Sequence, residues 1–151
     1  MTANNAVAFA IIMLLTGIGI PILAALNGGL GARLGSPMAA SMILFGLAFL
    51  IATAGALMTG SLGAVRFTGD IPAHFYFGGV FVAFYVIAVT FIAPRFGVGN
   101  AIFFVLVGQL ISAATIDHFG LFGSLRSAFD VKRAAGITLM IAGVYLARRT
   151  G

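Results

Sequence analysis

At 151 residues the chain is long enough for one domain, but 62 % of it is apolar, only 7 % is charged and it has no glutamate. A water-soluble surface needs about a quarter of its residues charged, so a soluble domain is excluded. The net charge of +5 does not point to nucleic acid, because the basic residues stand singly in short connections with no basic stripe of interleaved aromatics, and having no cysteine excludes disulfides, thiolate metal sites and cysteine nucleophiles.

What remains is an all-α integral membrane protein, a single domain over 1–151 with five apolar runs near 6–31, 37–59, 72–92, 98–117 and 133–148. The first run lacks a basic n-region and a cleavage site, so it is expected to stay as a membrane helix. Gly17, Gly19 and Pro21 stand near its centre, where proline removes a backbone bond and glycine permits a bend, and a kinked or interrupted helix is expected there. Asn27 reads either as a C-terminal cap near the interface or as a solute ligand. The second run opens on Ser36 as N-cap and Pro37 at the first helical position. Its Ser41 and Thr53 are expected to bond back to their own helix.

The segment GSLGAVRFTGDIPAH is the first polar break of any size and reads as short and structured. The third run starts at Pro72 and is rich in aromatics, among them Tyr76 and Tyr85, which serve packing and the interfacial belt or form a wall of a solute pocket. Pro94, Arg95 and Gly97 are expected to reverse the chain into the fourth run. That run is uncharged from Val98 to about Ile116, yet it carries Gln109 near its middle and Ser112 one turn further along the same face. An unpaired amide in hydrocarbon costs several kcal/mol, so Gln109 must face protein or water, through an interhelical hydrogen bond or a transported solute. Asp117 and His118 close the run. Asp117 is the only acid bordering an apolar span, either an interfacial ion pair fixing the turn after Gly120 or a group whose protonation is coupled to transport, with His118 and Arg126 the cations nearest in sequence. Asp130 reads as the N-cap of the last run. That run is short, so Arg133, Arg148 and Arg149 are expected to snorkel at its ends.

Catalytic residues are not expected. No dinucleotide fingerprint, triad or metal-ligand cluster is present, and GGLGARLG has no preceding strand and no lysine at phosphate-loop spacing. His74 and His118 alone do not make a metal site. No metal and no cofactor are expected.

Five spans place the termini on opposite sides, and the eight basic residues then divide evenly. Arg66, Arg126, Lys132 and Arg133 fall on one side, and Arg33, Arg95, Arg148 and Arg149 on the other. A chain is oriented by the difference between such counts, and here the difference vanishes. Either loop details fix one orientation, or the chain inserts in both and pairs with an inverted second copy, which supplies by assembly what many transporters encode as inverted repeats; the second is expected.

The segments PILAALNGGLGARLGSPMAASMILFGLAFL, GGVFVAFYVIAVTFIAPRFGVGNAIFFVLVGQLISAATIDHFGLFG and GITLMIAGVYLA together resemble the bacterial five-helix YdcZ-like family. That family lies in the drug/metabolite transporter superfamily, related to the small multidrug resistance proteins. The resemblance covers nearly the whole chain, and its GQL-to-IDHFG segment is specific. It implies a half-size transporter of the inner membrane, with Pro21, Asn27, Gln109, Asp117, His118 and Gly120 at the family's most distinctive positions. The first run has no acid where the small multidrug relatives carry a membrane-embedded glutamate, so their proton-for-cation exchange does not carry over.

The resulting expectation is a multi-pass inner-membrane protein that is not an enzyme: an antiparallel homodimer of ten helices acting as a secondary transporter of a small solute. Its site would lie at the midplane between the first and fourth helices, lined by Pro21, Asn27, Tyr76, Tyr85, Gln109 and Ser112. The dimer contact would be a stripe of small residues at Gly136 and Gly143. A dual-topology channel and an accessory membrane subunit are the alternatives. The expected partners are a second copy of the chain, membrane lipid and the solute, with no nucleic acid.

Overall fold

The computed structural model describes residues 3–65 and 71–147, and among them every regular element is helical. They fall into two compact units, Met1–Arg95 and Phe96–Gly151, each described by itself.

In the first unit, α1 (Ala3–Leu34) runs through Pro21, so of the kink or interruption expected there the interruption is absent. Proline withdraws one N–H and crowds the carbonyl four residues back. Ending the helix in hydrocarbon would instead strand several backbone groups, since only intrahelical bonds can satisfy them there. The helix also outruns Asn27, which is therefore not its cap. The cap is Gly35, at φ +64°. Its N–H donates to the Ala32 carbonyl at 3.3 Å, and the Ser36 N–H donates to the Gly31 carbonyl at 3.0 Å, a Schellman closure of the last turn.

Ser36 then begins α2 (Pro37–Met58): its Oγ accepts from the Ala39 N–H at 3.1 Å, and Pro37 takes the first position as the sequence predicts. Ser41 and Thr53 donate to the carbonyls of Pro37 and Phe49 at 2.9 and 2.8 Å, the back-bonding expected of them. The polar break holds one 3₁₀ turn, Ser61–Ala64, while Arg66 and Asp70 lie outside the described residues. The third run divides into a 3₁₀ turn, Ala73–Phe77, and α3 (Gly78–Phe96). Here too a proline is carried inside the helix, at Pro94, and Gly97, at φ +88°, stands between this helix and the next.

The second unit holds α4 (Val98–Phe119), a 3₁₀ turn over Leu121–Gly123, and α5 (Val131–Ala147). Asp130 caps α5, accepting the Arg133 N–H on Oδ1 at 2.7 Å. Among the described residues four helices are long and apolar enough to cross a membrane. The described part of α5 has 17 residues. Arg148 and Arg149 lie outside the described residues.

Large apolar side chains point outward along every helix: Leu26 of α1, Met42 of α2, Phe84 of α3 and Leu146 of α5 are each at least 70 % exposed. In water this would be an aggregation surface; hydrocarbon, or another protein surface within it, is the solvent that receives it.

Candidate functional site

The buried part of the first unit gathers where α1 ends, α2 begins and α3 ends. Ala24, Asn27, Gly28 and Gly31 recur at three- and four-residue spacing, so they share one face of α1. Val86, Val89, Thr90 and Ala93 make the matching face of α3, and Ala40 and Ser41 the buried part of α2. Small residues set the approach. A Cβ added to Gly28 would lie 3.0 Å from Cγ of Pro94, and one added to Gly31 would lie 3.2 Å from the Pro37 Cα and 3.3 Å from the Thr90 methyl.

Inside this junction the Asn27 amide, 4 % exposed, donates to Thr90 Oγ1 at 2.5 Å, and Thr90 passes its own hydrogen to the Val86 carbonyl at 2.7 Å. Asn27 thus links α1 to α3. Sequence reasoning missed Thr90, although it is the only threonine in its run and an aliphatic hydroxyl in an apolar helix is a signal. Of the other residues expected in this half, Pro21 is half-buried and Tyr76 is 41 % exposed in the 3₁₀ turn. The Tyr85 hydroxyl is shielded and has no hydrogen-bond partner among the described residues.

In the second unit the chain folds back over the end of α4. Gly120, at φ +64°, donates its N–H to the Ile116 carbonyl, and Ser124 Oγ adds a second donor to the same oxygen at 3.3 Å. The Ser127 N–H serves the Asp117 carbonyl at 2.8 Å, and Arg126 Nε serves that of His118 at 3.3 Å. Carbonyls that a helix end leaves without partners are thereby paired. The His118 Nδ1 accepts the Phe129 N–H at 3.0 Å.

The cation beside Asp117 is neither His118 nor Arg126. Arg133 holds its carboxylate at 2.5 Å and also donates to the Ser127 carbonyl at 3.4 Å. A helix turns about 100° per residue, which sets Gln109 on the side of α4 opposite His118. Gln109 and Ser112 are exposed on that side. On α5, Gly136 and Gly143 are likewise exposed, with nothing within 4 Å of an added Cβ. Among the described residues no three His, Asp or Glu side chains cluster as a metal would require.

A family model described as "Putative inner membrane exporter, YdcZ" matches residues 8–146. No curated protein and no solved structure matches the chain.

Proposed function

Because the chain belongs to the YdcZ family, we propose that it exports a small solute across the inner membrane as an antiparallel homodimer, driven by a solute or ion gradient. The observation that carries this reading is the exposure of Gln109 and Ser112 on an otherwise apolar face of α4. Leaving an amide against lipid is costly, so this face calls for water, solute or a second protein surface. The even division of basic residues supports an inverted second copy, and the open stripe at Gly136 and Gly143 offers it a close approach. In this reading Gln109, Ser112, Tyr76 and the unpartnered Tyr85 hydroxyl supply the solute's hydrogen bonds and aromatic wall. Pro21 and Asn27 shape the helix that borders it.

Coupling falls to Asp117, which would trade Arg133 for a proton during the cycle, with His118 beside it. In liposomes, entry of labelled solute against its gradient, exchanged for unlabelled solute inside, is the expected behaviour; flux that never saturates would make the chain a channel. Asp117→Asn should abolish pH-driven flux in protein that stays folded and dimeric. Reporters fused to the C-terminus should signal from both sides of the membrane, and a one-sided signal removes the antiparallel dimer.

A further inference from the structure

In the second unit an open pocket of about 350 Å³ lies among α4, α5 and the loop that joins them. Ile111, Ala114, Thr115 and His118 line it from one face of α4, Phe129 from the loop and Ile137 from α5. Its size is at the lower end for small-molecule sites. The walls are apolar, with two polar side chains, and the hydrogen bonds already made decide what each can still offer. Thr115 donates its hydrogen to the Ile111 carbonyl at 2.9 Å and keeps only lone pairs. The His118 Nδ1 holds a lone pair for the Phe129 N–H, which fixes the imidazole as the neutral tautomer with its proton on Nε2. Nε2–H is then the free donor. No charged side chain lines the cavity, and the neighbouring Asp117 is neutralised by Arg133. A charged occupant would find no counter-charge among these residues.

We propose that this cavity is a binding site for a small, neutral, largely apolar molecule with one hydrogen-bond acceptor, a carbonyl or ether oxygen, held by His118 Nε2–H. The site lies within one unit of one chain, and its occupancy is read without flux, so it stands or falls separately from the transport reading.

The test uses two ring compounds of one shape, cyclohexanone and methylenecyclohexane, which differ by an acceptor oxygen against a CH₂. Purified full-length protein in detergent is titrated with each while the Ile111 and Ile137 methyl signals and the imidazole nitrogens are followed by NMR. Cyclohexanone should bind about two- to tenfold tighter, the worth of one net hydrogen bond, and should move the His118 Nε2 signal. His118→Asn removes Nε2 while its amide oxygen, near the position of Nδ1, still accepts the Phe129 N–H; the loop should persist and the preference for the ketone should vanish. Ala114→Leu fills the cavity and should abolish both titrations. Equal binding of the two compounds to the wild type would overturn the proposal in favour of a slot for an acyl chain. So would a preference that survives His118→Asn, or methyl signals that neither compound moves.

Discussion

The two junctions that follow α1 and α4 solve one problem in opposite ways. Both helices end on a glycine at φ +64°, Gly35 and Gly120. After Gly35 the chain turns within two residues into α2, the last carbonyls of α1 are met by backbone alone, and cohesion comes from glycine, alanine and proline surfaces in close contact. After Gly120 ten residues intervene before α5, and serine and arginine side chains and the Phe129 N–H return to the helix end. The first junction is held by shape and tolerates no added atom. The second is held by polar bonds and an ion pair, half in reach of water, which can be exchanged one at a time. A rigid corner and a rearrangeable one thus stand at the ends of two membrane helices.

Substitutions that add atoms should hurt the first junction most. Gly31→Leu drives a side chain into the Pro37 backbone and should cost about 1–3 kcal/mol, read as a large fall in the detergent thermal midpoint. Gly29→Leu, with nothing within 4 Å of its Cβ, is the matched control and should change little. If the two fell equally, the corner would not be held by shape. Next, Thr90→Val strips the buried Asn27 amide of its acceptor and should cost about 1 kcal/mol. Adding Asn27→Leu should recover part of that loss.

At the second junction Gly120→Ala meets only ordinary contacts, the nearest 3.5 Å away at the Arg126 Cβ. Its cost of about 1 kcal/mol should come from the left-handed backbone alone. The smallest effect is expected at the ion pair, whose side chains are 28 % and 36 % exposed. Asp117→Asn should cost a few tenths of a kcal/mol, shrinking further in ~1 M salt. A loss as large as that of Gly31→Leu would make the polar junction the more rigid one.

Local chemistry was legible in the sequence and distant pairing was not. Ser36–Pro37 and the Asp130 cap were readable because a cap bonds to its own first turn. Pro21 misled because proline's cost is judged against water, whereas hydrocarbon makes the alternative of an open helix dearer. Asn27 was read as a cap because a glycine-rich stretch follows it; those glycines instead form the contact face of a helix that continues to Leu34. Arg133 lies 16 residues from Asp117 across a loop whose path no periodicity encodes, so nearer cations took its place. Of the candidate site, the sequence singled out Gln109 and His118 as polar groups in an apolar helix. Their placement on opposite sides of α4 followed from spacing alone.

The two-residue corner between α1 and α2 also fixes where their unequal lengths show. At 1.5 Å per residue, the 32 residues of α1 span about 48 Å and the 22 of α2 about 33 Å. Joined at one end, they differ by about 15 Å at the other, and past Asn4 and Asn5 this overhang is apolar, with Phe9, Ile11 and Ile12 exposed there. Acyl chains must follow it, by tilting of the pair or by local thickening of the bilayer. The protein is therefore matched to a thick membrane on its amino-terminal side, and lengthening the lipid acyl chains should stabilise it until that mismatch closes.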